Sequence, residues 1–210
     1  MFDFNDIINA LIASDQARVL ELVKDGLSRG ADAREILEKG LIAGMDRVGE
    51  RMENEDMFIP EVLMAAKAMS AAVEILKPHL GKEGVVSKGK VVIGTVSGDI
   101  HDIGKNLVAM LLSSAGFDVY NLGADIDPKR FVDAVKAQRA DILGLSALLT
   151  TTMPMMKETI TAVERAGIRN QVKIMIGGAP VTQSFADEIG ADGYASDASS
   201  ATKLAKSLLE

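Results

Sequence analysis

A carboxylate and an imidazole stand two residues apart in Gly98-Asp99-Ile100-His101-Asp102-Ile103-Gly104-Lys105-Asn106, close enough for one to orient the other. The 210-residue chain has two histidines and no cysteine. Structural disulfides and thiolate metal sites are thereby excluded together, and one imidazole cannot close a zinc site. What a single imidazole can supply is the axial ligand of a metal whose other positions come from a macrocycle. Taken alone, a loop histidine is more often only a hydrogen-bonded loop residue, and Asp102 is equally placed to cap a helix opening at Ile103-Gly104. His79, beside Pro78 at a helix end, reads as a solvated side chain near the helix dipole.

The apolar run Val91-Val92-Ile93-Gly94-Thr95-Val96 precedes this segment, and a helical pattern with Leu107, Met110 and Leu111 follows it. His101 therefore falls on a strand-to-helix loop. Similar patterns predict strands over 90–96, 117–122, 141–147, 173–177 and 193–196. Helices are expected over 104–115, 128–138, 153–166, 183–189 and 198–209. Near-continuous Val/Ile/Leu strands joined by helices mean a parallel sheet covered on both faces. The expectation is an α/β flavodoxin-like doubly wound domain of five strands, with ligands bound at the carboxyl edge.

Three segments converge on that edge. They are the loop of residues 99–104, the stretch Ser146-Ala147-Leu148-Leu149-Thr150-Thr151-Thr152, and Gly177-Gly178-Ala179-Pro180. Small residues at neighbouring strand exits describe a slot lined by Gly, Ser and Thr. Plainer roles compete: a Gly-Gly pair can be only a turn, and Thr152 before Met153-Pro154 only a helix cap.

Residues 3 to 79 carry helix period instead. Ser14-Asp15 can cap a helix bearing Val19, Leu20, Val23 and Leu27, and Asp32 with Glu35 forms a capping box ahead of Ile36, Leu37, Leu41, Met45, Val48 and Met52. Gly40 and Gly44 lie four apart on one face, where they predict close approach of another helix. Pro60 suits the first turn of a last helix with Leu63, Ala66, Met69, Val73 and Leu76, and Pro78 ends it. The organisation expected is an all-α four-helix bundle over 1–80, a polar linker over 81–89 and the α/β domain over 90–210. Met45, Met52, Met57, Met64 and Met69 leave room for a soft apolar face in the bundle.

Composition narrows the class further. Hydrophobic residues make up 48% of the chain, enough for a packed core, and the net charge of −7 with scattered Lys and Arg argues against nucleic-acid binding. Met1-Phe2-Asp3-Phe4-Asn5-Asp6 lacks the marks of a signal peptide, and no apolar run approaches the ~18 residues that span a bilayer. A cytoplasmic protein without membrane contact is expected. There is no Gly-x-Gly-x-x-Gly after the first strand and no P-loop, so dinucleotide and nucleoside-triphosphate binding lose their main support. A phosphoacceptor domain of this fold needs an aspartate at the end of the third strand, where Leu145-Ser146-Ala147 stands.

Asp99-x-His101-x-x-Gly104, then 41 residues, Ser146-x-Leu148, then 28 residues, and Gly177-Gly178 together resemble the cobalamin-binding signature of methionine synthase and of corrinoid methyl-carrier proteins. Val48-Gly49-Glu50-Arg51-Met52 and Met57-Phe58-Ile59-Pro60 are similar to that family's helical cap, so the resemblance covers nearly the whole chain. It implies His101 as lower axial ligand of cobalt in place of the cofactor's own base, with Asp99 accepting the other imidazole N–H. The family's relay ends in a serine six residues after the Ser of Ser-x-Leu; Thr152 stands there. The displaced nucleotide tail would enter a slot of Ser146, Leu148, Thr150, Gly177 and Gly178, with Ala198 near its far end. Gly98, Ile100 and Asp102 would contact the corrin, and Glu38, Met52, Ile59 and Val62 would lie over its upper face.

The cofactor so implied is cobalamin or a related corrinoid, cycling between methylcob(III)alamin and cob(I)alamin on its cobalt. The resemblance also implies a substrate-specific methyltransferase, an acceptor methyltransferase (tetrahydrofolate or coenzyme M), a reductive activase and a homodimer. Candidate methyl donors are a methylamine, betaine, methanol or a methoxylated aromatic. Competing readings are the small subunit of an adenosylcobalamin mutase and a cobalamin-dependent sensor.

Overall fold

A computed structural model describes residues 2–80 and 87–210. Its residues group into two compact units, one holding the N-terminal helices and the other the sheet with its flanking helices. Positions 81–86 of the expected linker lie outside the described residues.

The helical unit contains α1 (Phe4–Ile12), α2 (Gln16–Ser28), α3 (Ala33–Glu35), α4 (Ala43–Glu53) and α5 (Ile59–Leu76). Asp15 starts α2 by accepting from the Arg18 N–H at 3.0 Å. Asp32 accepts from the N–H groups of Arg34 and Glu35, but Glu35 turns to Lys39 at 2.6 Å, so only half of the expected capping box forms. Glu61 closes the start of α5 by accepting from the Phe58 N–H at 2.8 Å. Between α3 and α4 the chain runs as a π-helix, Ile36–Ile42. Gly40 in this stretch and Gly44 in the first turn of α4 lie against α1: a Cβ on Gly40 would meet Ile7 at 3.2 Å, and one on Gly44 would meet Leu11 at 2.5 Å. The expected close approach is therefore present. Gly44→Ala should lower the unfolding free energy by about 1–3 kcal/mol, read by urea denaturation, because buried Leu11 must shift to admit the methyl.

In the second unit β1 (Lys90–Thr95), β2 (Asp118–Asn121), β3 (Ile142–Ser146), β4 (Lys173–Gly177) and β5 (Gly193–Ala195) form one parallel sheet in the order β2-β1-β3-β4-β5. This is the flavodoxin-like order expected. The helices between strands are α6 (Ile103–Ser114), α7 (Pro128–Gln138), α8 (Pro154–Arg165) and α9 (Gln183–Ile189), and α10 (Ala198–Ser207) follows β5. Side chains alternate along each strand. Val92, Leu143, Leu145, Ile174 and Ile176 pack on one face with Phe131 and Val135 of α7 and Met156, Ile160 and Val163 of α8. Val91, Ile93, Ile142 and Met175 on the other face are buried as well. Val96 falls just past β1, where it bridges Ile126 instead of extending the strand. Order reverses between β1 and β3, and the loops after these strands open the crevice where such folds hold ligands. No helix among the described residues is long and apolar enough to cross a membrane.

Candidate functional site

The loop between β1 and α6 carries Asp99, and its carboxylate is wholly buried. Burial pushes such a group toward its neutral form, so it must be met by donors. Oδ1 accepts from the His101 N–H at 3.0 Å and faces His101 Nδ1 at 2.8 Å. Oδ2 accepts from the Leu148 N–H at 2.7 Å, the Leu149 N–H at 3.3 Å and the Thr152 hydroxyl at 2.8 Å. Burial raises the Asp99 carboxyl, but the hydrogen bonds from His101, Leu148 and Thr152 outweigh it and hold the group well below the usual carboxylate range.

An ionised carboxylate only accepts, so the hydrogen in the short contact to His101 sits on Nδ1. An imidazole that donates through Nδ1 in this way offers Nε2 as its lone-pair nitrogen, the arrangement a metal-binding histidine needs. The His101 side chain is 48% exposed, and no hydrogen bond engages its Nε2 among the described residues. Thr95, fully buried at the end of β1, donates to the His101 carbonyl at 3.1 Å and fixes the loop from beneath.

Thr152 has one hydroxyl hydrogen and two acceptors in reach, Asp99 Oδ2 at 2.8 Å and the Leu149 carbonyl at 2.9 Å. The ionised acceptor is the stronger of the two. Its methyl, the group that distinguishes it from serine, turns toward Gly98, where even an added Cβ would stand 3.6 Å away. The extra methyl thus leaves the hydroxyl free to reach Asp99. Thr152→Val should lower stability by about 1–3 kcal/mol, because a buried carboxylate oxygen loses a donor, whereas Thr152→Ser should be near neutral in the same denaturation assay.

The sign of the Asp99 shift sets a pH dependence. A carboxyl whose folded-state pKa lies below its unfolded value, near 4, stabilises the fold above that pH and loses the contribution on acidification. The stability gap between the wild-type chain and Asp99→Asn should therefore be full at neutral pH and narrow below about pH 4. Chemical denaturation at a series of pH values reads it.

At the neighbouring exits, Ser146 is half-buried at the end of β3, Thr150 is exposed, and Leu148 and Leu149 are 43% and 41% exposed. Gly177 ends β4 with its carbonyl accepting from the Ala147 N–H at 3.2 Å. A Cβ on Gly178 would fall inside the van der Waals surface of the Ala147 carbonyl oxygen, and Gly178 holds φ at +134°. The Gly-Gly pair thus lets two backbones run together just past β3 and β4, which is more than a turn requires. Ala198 is buried at the start of α10, behind Asp197, whose carboxylate caps that helix through Ser199 and Ser200.

Asp102 stands immediately before α6; its carbonyl takes the Asn106 N–H at 2.8 Å, while its carboxylate takes the Asn106 side-chain amide at 2.9 Å. Lys105, one turn further on, is buried, and burial lowers its pKa. Its ammonium meets Asn106 Oδ1 at 2.6 Å and Asn121 Oδ1 at 2.7 Å. Lys105 and Asn106 lie inside the segment first singled out, but nothing in the sequence pairs them with Asn121. In the helical unit Glu38 is exposed, Met52 half-buried and Ile59 50% exposed. Val62 by contrast heads the fully buried stripe of α5 and presents no side-chain surface to a ligand. Phe58, Leu63 and Met64 are exposed apolar side chains there as well; of the five methionines expected to leave a soft apolar face, Met45, Met57 and Met69 are buried and Met64 is exposed.

Among the described residues no group of three or more His, Asp or Glu could hold a bare metal ion. His101 instead stands among exposed apolar side chains, Ile100 at 78%, Ile103 at 85%, Leu148 and Leu149. One imidazole nitrogen with no hydrogen-bond partner among the described residues, amid exposed apolar side chains and beside the small residues that end β3 and β4, fits a broad macrocycle with one vacant axial position.

Comparison with known proteins agrees with that class. One family described as "B12 binding domain" matches residues 89–203, and a second of the same description matches residues 4–77. Dimethylamine corrinoid protein 1 of Methanosarcina acetivorans is 47% identical over 205 residues, covering 97% of this chain and 96% of its own. Trimethylamine corrinoid protein 1 of Methanosarcina mazei is 44% identical over 203 residues, covering 96% and 94%. The crystal structure of the methanol:cobalamin methyltransferase complex MtaBC from Methanosarcina barkeri superposes with a TM-score of 0.87 at 31% identity, covering 98% of this chain and 79% of that one. The chain belongs to the B12 binding domain family, among its corrinoid proteins, and its cofactor is accordingly a cobalt corrinoid of the cobalamin type.

Proposed function

We propose that this chain carries a methyl group from a methylamine-specific methyltransferase to a second methyltransferase, whose acceptor is tetrahydrofolate or coenzyme M. When bound, the corrinoid supplies a cobalt centre that takes up the methyl group and releases it again. His101 would hold cobalt through Nε2, the Asp99–Thr152 pair would orient the ring, and Gly98, Ile100, Asp102 and Gly104 would form the bed of the corrin. Ser146, Leu148, Thr150, Gly177, Gly178 and Ala198 would line the tail slot. In this reading the chain comprises a helical cap over 1–80, a linker over 81–89 and the cofactor domain over 90–210. Glu38, Met52 and Ile59 are the cap residues that keep surface for the upper side of the ring, while Val62 serves the packing of the bundle.

The observation that carries the reading is the Asp99–His101 contact, with Nδ1 engaged and Nε2 open amid exposed apolar side chains. Full-length likeness to dimethylamine and trimethylamine corrinoid proteins supports the methylamine donor over betaine, methanol or a methoxylated aromatic. The same likeness favours a carrier over a mutase subunit or a sensor. A reductive activase, a cytoplasmic setting and a homodimer complete the proposal.

The test is reconstitution with cobalamin, reduction, and addition of candidate donors with their methyltransferases, followed by absorbance. Methylation of the cofactor by dimethylamine or trimethylamine is expected. Methylation by methanol alone, or by none of the donors despite full cobalamin loading, would overturn it.

A further inference from the structure

Side chains from the last residue of β2 and from the segment that joins it to α7 reach the His101 loop at both of its ends. At the first end Asp125 Oδ1 accepts from the Gly98 N–H at 2.7 Å and stands 3.4 Å from the Ser97 hydroxyl. The Asp125 N–H donates to the Asp99 carbonyl at 3.0 Å. At the other end Asn121 Oδ1 accepts from the buried Lys105 ammonium, and Asn121 Nδ2 donates to Asn106 Oδ1 at 2.8 Å. Asn106 passes the connection to Asp102, the neighbour of His101.

Asp125 holds φ at +55°, a backbone state that few side chains tolerate and that Asp adopts more readily than most. This conformation lets its N–H and its carboxylate engage the same three-residue turn, 97–99. Nothing in the packing of the sheet requires it, since the neighbouring Ile126 already joins β1 through the Thr95 carbonyl.

We infer that Asp125 is a positioning residue for His101: it clasps the 97–99 turn through backbone and side chain and so fixes how Asp99 meets Nδ1. Asn121, through Lys105 and Asn106, anchors the loop beyond His101. The consequence for the cofactor rests on the proposed ligand role of His101; the geometry does not.

Three substitutions separate the contributions. Asp125→Asn keeps a carbonyl acceptor and tolerance for positive φ, Asp125→Gly keeps the backbone state and loses the acceptor, and Asp125→Ala loses both. Nitrogen-15 NMR of the histidine rings in the cofactor-free protein reports whether Nδ1 of His101 carries a hydrogen-bonded proton, with exposed His79 as internal reference. The wild-type chain and Asp125→Asn should show it. Asp125→Gly and Asp125→Ala should shift toward the His79 pattern and bind cobalamin about 10-fold more weakly. Wild-type Nδ1 signals in both the Gly and Ala variants would overturn the inference, as would an Asn variant as impaired as the Ala one. If Asp125→Ala does not fold, the Gly and Asn pair decides alone. Failure of the ligand reading would appear separately, as His101→Ala protein whose cobalamin spectrum matches the wild type.

Discussion

Replacing His101 by alanine should leave a folded protein that transfers methyl groups at least about 100-fold more slowly. Partners that only orient a metal-bound histidine are worth about 10–100-fold, and the ligand itself should meet or exceed the upper figure. Folding should survive because the ring is half exposed and the Asp99 carboxylate keeps its hydrogen bonds from Leu148 and Thr152. Two measurements separate the effects. Circular dichroism should be unchanged, while the absorbance of the reconstituted protein should revert to that of cobalamin free in solution. A variant with wild-type transfer rates would remove His101 from the mechanism.

Among the described glycines, Gly178→Ala should be the most damaging added methyl. The new Cβ would stand 2.9 Å from the Ala147 carbonyl carbon and still closer to its oxygen, and neither backbone can yield without shifting β3 against β4. An alanine at φ of +134° is strained as well. A loss of about 3 kcal/mol or more is expected, read as a lower urea midpoint. Cobalamin uptake should fall with it, since the same two backbones wall the proposed tail slot. A change within about 0.5 kcal/mol, the range of an ordinary surface substitution, would show that the strands separate there without cost.

Much of this was legible in the residues alone. β4, α7 and α9 have the bounds their apolar periods predict, and the parallel order follows from strands rich in Val, Ile and Leu alternating with helices. The Asp99–His101 pair was legible because a two-residue spacing on a strand-to-helix loop leaves little choice of partner. Thr152 was reached only through the resemblance, as a hydroxyl at the offset of the family's relay serine; the residues alone offered it as a helix cap, and the geometry shows its methyl turned aside toward Gly98. Other features had no signature. The Leu148 and Leu149 donors are backbone groups that any residue would supply. The π-helix at Ile36–Ile42 inserts a turn that the 3.6-residue period does not encode. Asp125 and Asn121 act across 26 and 20 intervals of sequence from Asp99 and His101, a pairing that only the β2–β1 register brings about. Val62 and Ile59 share a helix and an apolar character, and the packing of the bundle alone decides which is buried.

The central claim is that one protein imidazole binds cobalt while the cofactor's own base is displaced. Electron paramagnetic resonance of the cobalt(II) holoprotein, prepared with nitrogen-15 histidine, tests it most directly. A nitrogen splitting that changes from the three-line pattern of nitrogen-14 to the two-line pattern of nitrogen-15 on labelling is predicted, with the two-line pattern lost in His101→Ala. A splitting indifferent to the histidine label would mean that the benzimidazole remains on the metal, and the account would fail.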